Sequence, residues 1–225
     1  MATRSIAIDG PAGAGKSTLA KSLAKELGFL YVDTGAIYRT VGLYAEKCGK
    51  DAGNPQEVVP LLKEISLRLT HEADGMQHMY LQGEDVTEEI RQNRVSRYAS
   101  QVSAMPEVRA FLLEMQRSLA REHNVVMDGR DIGTVVLPQA DLKIFLTASA
   151  QQRAKRRHGE LSMNGGHVPF QQVLEEILVR DEVDRTREIA PLYQAEDAVL
   201  LDTSELNLEE SLQAMRSMVK ESLHL

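Results

Sequence analysis

The apolar positions of the chain change period several times. Residues 4–9 (RSIAID) form a short apolar run that stops at Gly10, which predicts a buried strand. Leu19, Ala20, Leu23, Ala24 and Leu27 then recur at helical spacing, so a helix is expected over about 17–27, with Gly28 as its stop. FLYVD (29–33) reads as a second strand, ended by Thr34-Gly35. Strand, glycine-rich turn, helix and strand is the opening of a parallel α/β sheet. The same rhythm returns late in the chain. NVVMDG (124–129), KIFLTA (143–148) and AVLLDT (198–203) read as strands. Between and after them, a basic helix is expected at 150–160. Another starts with Val173, Leu174, Ile177 and Leu178, and the last carries Leu208, Leu212, Met215 and Val219. A loop with Asn164-Gly165-Gly166 and Pro169 separates the first two of these helices.

The middle of the chain has a different pattern. Residues 37–48 and 56–64 read as helices, and 65–83 alternates around Asp74-Gly75, a hairpin signal. Asp85 or Thr87 is placed to cap a short helix. Val108, Phe111, Leu112, Met115 and Leu119 mark an amphipathic helix. This stretch is too long for a simple crossover and is read as an inserted subdomain. No internal repeat is visible.

Composition narrows the class. A chain of 225 residues buries roughly 70% of its unfolded surface and needs no staple. Lys plus Arg is 26 and Asp plus Glu is 33, a net charge of −7, which argues against a general nucleic-acid binder. The absence of Trp also argues against base-stacking platforms. One cysteine, Cys48, excludes a disulfide framework and a thiolate zinc site, and suits a reducing cytosol. It lies among apolar helical residues and reads as a small buried hydrophobe. The six histidines lack metal-ligand spacing. No apolar run has the length of a membrane span or a secretory signal, so a cytoplasmic protein is expected.

Residues 10–17, G-P-A-G-A-G-K-S, match the phosphate-binding P-loop pattern G-x-x-x-x-G-K-[ST]. Glycines let main-chain N–H groups converge on phosphate oxygens, and the following helix points its positive end at the same place. A chance match in a chain this long is on the order of 1%, and this one sits between a predicted strand and a predicted helix. Gly10, Pro11, Ala12, Gly13, Ala14, Gly15, Lys16, Ser17 and Thr18 are the candidate ATP-binding residues. Lys16 would supply charge to the β- and γ-phosphates, and the Ser17 hydroxyl is a candidate ligand for Mg²⁺.

Arginines gather at the predicted element ends: Arg39, Arg130, then Arg153, Arg156 and Arg157 on one helix, and Arg180, Arg185 and Arg187 on the next. Arginine's planar fork suits phosphate, and open α/β sheets bind ligands at the carboxyl ends of their strands. DTGAIYR (33–39), ASQVS with P-x-V-R (99–109), DGRDIGTVV (128–136) and RDEVDRTREIAPL (180–192) together resemble the bacterial cytidylate kinase family, from residue 4 to about 221. The third and fourth of these motifs are specific to that family among P-loop kinases. The stretch 158–170 departs from the family pattern.

The resemblance implies an α/β fold: a P-loop core with a five-stranded parallel sheet (1–35, 124–150, 189–225), a nucleotide-monophosphate insertion with a small antiparallel sheet (36–123), and a helical lid (151–188). It implies transfer of phosphate from ATP to CMP or dCMP with Mg²⁺, by a cytoplasmic monomer that binds neither nucleic acid nor membrane. Carried over by position, Thr34, Arg39 and Arg130 resemble the residues that hold the acceptor phosphate. Ser100, Arg109 and Asp131 resemble those that read cytosine, and Asp184 and Arg187 those that hold the sugar. Arg180 is placed near the transferring phosphate, and Arg153 and Arg157 resemble lid arginines. Asp33 and Asp128 stand near the expected metal, or are turn or cap acids. An acceptor such as UMP or shikimate, or a regulatory ATP-binding module, is the competing reading. Gly35, Gly129, Gly133 and Gly165-Gly166 are candidate points of backbone freedom.

Overall fold

A computed structural model describes residues 3–72, 77–163 and 168–223. The strands are β1 (Ser5–Asp9), β2 (Leu30–Asp33), β3 (Leu67–His71), β4 (Gln77–Leu81), β5 (Glu84–Asp85), β6 (Val125–Gly129), β7 (Leu142–Thr147) and β8 (Val199–Asp202). The helices are α1 (Lys16–Leu27), α2 (Thr34–Lys47), α3 (Pro55–Leu61), α4 (Asn93–Ser103), α5 (Pro106–Glu122), α6 (Ala150–Met163), α7 (Phe170–Thr186) and α8 (Leu208–Leu223). Five strands form one sheet in the order β2-β6-β1-β7-β8, with β1 parallel to β6 and β7, and β7 parallel to β8. Three form a second, antiparallel sheet in the order β3-β4-β5. Both sheets match the expectation from the sequence. The chain divides into two compact units, residues 1–30 with 124–225, and residues 31–123.

In the first unit, Ile6, Ala7, Ile8, Val125, Val126 and Met127 are fully buried. Central parallel strands are covered on both faces, which is why their sequences run apolar without alternation. The register sets Ile8 opposite Asp128 and Asp9 opposite Gly129. The acids that interrupt the apolar runs therefore lie together at the carboxyl ends of β1 and β6. Gly28 closes α1 in the left-handed conformation, as expected of a stop. Helices α6 and α7 pack on each other through Ala154, Val173 and Ile177. Leu178, read as part of that apolar stripe, is instead 52% exposed, and so is most of Leu208 at the start of α8. The buried face of α8 begins at Ser211 and Leu212. Asn164, Gly165 and Gly166 lie outside the described residues.

In the second unit, α2 begins at Thr34, three residues before the sequence reading. The Asp33 side chain accepts a bond from the Ala36 N–H at 2.9 Å, so the strand runs directly into a capped helix without a turn. Gln77, a polar residue at an inward position of β4, is buried because it bonds both ways to the Asp33 main chain. The β3–β4 pairing sets Leu69 opposite Met79, and Asp74-Gly75 lies outside the described residues. Neither Asp85 nor Thr87 caps a helix. Asp85 accepts from the Thr87 N–H, and the Thr87 hydroxyl accepts from the Met79 N–H, while the turn at Glu89–Arg91 has no side-chain cap. On α5 the buried face carries Val108, Arg109, Leu112, Gln116 and Ala120, whereas Phe111 is exposed. Cys48, read as buried, is exposed at the end of α2.

Candidate active site

The P-loop connects β1 to α1. Gly10 has φ +150°, and a Cβ there would lie 1.9 Å from the Leu146 carbonyl oxygen, so no other residue fits between the loop and β7. Gly15 takes φ +93° and stands at the N-terminus of α1, whose first turn carries no acid. The N–H groups of that turn and the positive end of the helix are therefore uncompensated by the helix itself, which suits a bound phosphate. Lys16 folds back under the loop and donates to the Pro11 carbonyl at 2.8 Å. Burial, reinforced by the nearby Arg130 charge, lowers its ammonium to about 7, against the opposing pull of Asp128, Asp184 and Asp9. The Ser17 hydroxyl donates to Asp128 Oδ2 at 3.0 Å. Asp128 thus faces the P-loop serine.

Behind the loop the charged groups hold one another. Arg130 Nε donates to Asp184 Oδ2 at 2.7 Å. Burial works against the Arg130 charge, but Asp184, with Asp128 and Asp9, outweighs it and keeps the guanidinium pKa above its ordinary value. Burial likewise tends to raise the Asp184 carboxyl, yet Arg130, then Arg180 and Arg187, hold it below the usual carboxylate range. Arg187 Nη2 lies 3.6 Å from Asp131 Oδ1 and its Nε donates to the Ala190 carbonyl at 2.7 Å. Ala190 sits at φ +49°, and the Leu192 N–H returns to the Asp184 carbonyl at 2.7 Å. The R-x-x-A-P-L run therefore folds back on the end of α7 and fixes Arg187.

The three arginines of α6 separate. Arg153 is buried and its fork meets the Asp181 carboxylate at 3.0 and 2.5 Å, while Nη1 also donates to the Ala12 carbonyl at 3.0 Å. Arg156 donates to the Ala14 carbonyl at 3.2 Å and the Thr203 carbonyl at 2.7 Å. Arg157 pairs with Glu160 on the exposed side. The i, i+4 pair chosen from the sequence is thus not the pair that faces the P-loop. Arg153 and Arg156, three apart, are. Asp9, Asp181, Arg156 and Thr203 received no role from the sequence.

In the second unit, Thr34 is buried at the first position of α2. Arg39 approaches the capping Asp33 at 3.7 Å. Asp33, one of two acids left between a metal and a capping role, is a cap. Arg109 is buried on α5, donates to the Ser103 carbonyl at 3.3 Å and stacks 5.7 Å from the Tyr38 ring centroid. Ser100 lies one turn before Ser103 on α4, and its carbonyl accepts the Ser103 hydroxyl at 2.9 Å.

Comparison with known proteins decides the family. The sequence profile described as cytidylate kinase matches residues 6–221. The chain belongs to the cytidylate kinase family. It is 53% identical to a cytidylate kinase of Caldicellulosiruptor bescii over 208 residues, 92% of each chain. It is 49% identical to one of Exiguobacterium sp. over 216 residues, 96% of each. A solved structure of an uncharacterized protein from Eubacterium ventriosum superposes with a TM-score of 0.55 at 11% identity, covering 97% of this chain and 99% of that one. That likeness is one of fold alone. Membership of the family bears out the expectation of a nucleotide-binding kinase, a transferase, with CMP as its acceptor. Among the described residues no helix is long and apolar enough to cross a membrane.

Proposed function

We propose that this cytidylate kinase transfers the terminal phosphoryl group of ATP to CMP and dCMP by in-line displacement. An acceptor phosphate oxygen attacks the γ-phosphorus, the bond to the β,γ-bridging oxygen breaks, and ADP leaves. No protein nucleophile or general base is needed, because the acceptor is already ionised. The protein supplies position and positive charge. The observation that carries this reading is the joining, within one unit, of the P-loop Lys16 to the Arg130–Asp184 and Arg187–Asp131 pairs, whose carboxylates are buried.

In this reading residues 10–18 hold ATP, with Lys16 on its β- and γ-phosphates. Arg180 serves the transferring phosphate, and Arg153 and Arg157 belong to a lid formed by α6 and α7. Thr34, Arg39 and Arg130 hold the acceptor phosphate, and Asp184 and Arg187 its sugar. Ser100, Arg109 and Asp131 read the base. Cytosine offers an N4 amino donor to Asp131 and Ser100 and ring acceptors to Arg109. Uracil would turn its O4 acceptor toward the carboxylate and leave buried acceptors mispaired, which is how polar sites reject analogues.

Mg²⁺ fits the oxygen donors at the P-loop. Ser17 Oγ and Asp128 Oδ2 lie 3.0 Å apart, and hard oxygen ligands suit this ion. Among the described residues no group of three His, Cys, Asp or Glu is arranged to hold a metal ion by itself. Ser17, with Asp128 behind it, would hold the ion together with the nucleotide phosphates, where it would neutralise developing charge. Action as a monomer in the cytoplasm rests on the family resemblance, and light scattering of the purified chain tests the first of these.

The test is Mg²⁺-dependent ADP release with CMP, dCMP, UMP, AMP and shikimate as separate acceptors. Strong turnover with CMP and dCMP and weak turnover with UMP is the expected result. Preference for another acceptor would sink the base assignment. ATP binding without acceptor-dependent turnover would sink the kinase reading.

A further inference from the structure

Asp9 is the last residue of β1 and the only acid before the P-loop. It is almost fully buried. Each of its carboxylate oxygens accepts one main-chain N–H: Oδ1 from Ile132 and Oδ2 from Gly133, both at 2.7 Å. These are the two residues after Arg130-Asp131. The segment Ile132–Val136 is a single π-helical turn, in which the Asp131 carbonyl accepts from both Val135 and Val136. Asp131 occupies the capping position of that turn, yet its side chain makes no capping bond. Asp9 caps the turn from the neighbouring strand instead, and the Asp131 carboxylate is turned toward Arg187.

The fit is tight: a Cβ on Gly133 would lie 3.0 Å from Lys143 Cδ and 3.3 Å from Asp9 Oδ2. The charged groups that act on Asp9 are Asp131 and Lys16, with Arg130 in the same field. The Lys143 ammonium is directed away, to the Pro138 carbonyl and Asp197. Burial lifts the Asp9 carboxyl to about 6, further raised by the Asp131 charge and only partly offset by the two N–H bonds and Lys16. A carboxylate in this position therefore costs stability, and an apolar residue would serve the strand better.

We propose that Asp9 is a positioning residue for the acceptor half of the reaction: by clamping the Ile132 and Gly133 N–H groups it aims Arg130 and Asp131. This deepens the reading of those two residues given above and rests on it. Groups that touch substrate need such support to hold their geometry, and π-helical turns recur at functional sites.

The experiment compares Asp9→Asn with wild type, with Arg130→Ala and Asp131→Ala in the same series. It measures kcat, KM for CMP, UMP and ATP, and thermal unfolding. In Asp9→Asn one N–H bond survives and the other faces an amide NH₂. The expected result is a rise in KM for CMP of roughly tenfold, the scale of one buried hydrogen bond, with a reduced preference for CMP over UMP and little change in KM for ATP. Gly133→Ala, whose added methyl crowds both Lys143 and the Asp9 carboxylate, is expected to give the same split and serves if Asp9→Asn does not accumulate folded. Acceptor kinetics like wild type, a loss confined to ATP, or a parallel loss of every parameter with the melting temperature would each overturn the proposal. If Arg130→Ala and Asp131→Ala leave CMP kinetics untouched, the assignment of those residues falls first and the role of Asp9 falls with it.

Discussion

In the phosphate-binding unit, buried charged side chains are held by one another. Arg130 leans on Asp184, Arg187 faces Asp131, Arg153 is gripped by Asp181, and Lys16 sits among three acids and an arginine. In the unit of residues 31–123 the corresponding groups are held by backbone. Asp33 caps α2, Arg109 donates to the Ser103 carbonyl, and Gln77 bonds to the main chain of Asp33. The first arrangement presets a field of positive charge for phosphates, but each member depends on its partners. In the second arrangement the Arg39–Asp33 pair is long and partly exposed, so breaking it strands little charge. The two units should therefore respond differently to the same kind of truncation.

The largest contrast is expected from Asp184→Ala. It removes the main partner of the part-buried Arg130 guanidinium, with Asp128 and Asp9 left in its field, and should cost about 1–3 kcal/mol, to be read by urea unfolding. Arg39→Ala breaks only a long, partly exposed pair with Asp33, and a change below about 1 kcal/mol is expected. Equal losses would erase the comparison. Next in size, Lys16→Ala should lower kcat by roughly a hundred- to a thousandfold, the scale for one preorganised donor, in a coupled ADP assay at saturating CMP.

A pH series separates the units by sign. The Asp9 pKa is raised to about 6 from 3.8. Its contribution to stability is fully present below 3.8 and is lost as pH rises through 6. Asp9→Asn has no such proton to lose, so its stability relative to wild type should improve by up to roughly 3 kcal/mol between pH 4 and 7, measured by urea unfolding. Asp85 in the other unit is lowered to about 2 by the Thr87 hydroxyl and then His78. Its contribution is present above 3.8 and is lost as pH falls through 2. It is small, because the side chain is exposed to solvent.

Two smaller effects sharpen the picture. Ser100→Ala should reduce the ratio of kcat/KM for CMP over UMP by about tenfold, the scale of one hydrogen bond, with unfolding nearly unchanged. Arg157→Ala removes an exposed pair with Glu160 and should shift stability by less than about 0.5 kcal/mol. A fall in kcat without a fall in melting temperature would then assign Arg157 to the lid.

Much of this was legible along the chain because it is local. A P-loop needs glycines and Lys16-Ser17 at fixed spacing, and Gly10 has no alternative beside the Leu146 carbonyl. Strand runs such as NVVMDG are apolar because both faces are covered, and Gly28 ends α1 through its own backbone conformation. The motifs quoted from the arginine-rich segments were enough to identify the family. Contacts between distant segments were not legible. Nothing in sequence spacing tells that Asp9 caps a turn 123 residues later. Nor does it tell that Asp128 receives the Ser17 hydroxyl, or that Arg156 rather than Arg157 shares the P-loop side with Arg153. The face Phe111 was expected to bury is occupied by Arg109 and Gln116 instead. Periodicity and turn chemistry act over a few residues and are written in neighbouring positions. The partner of a buried charge is set by which strands lie side by side and by the low dielectric between them, and that exists only once the chain has folded.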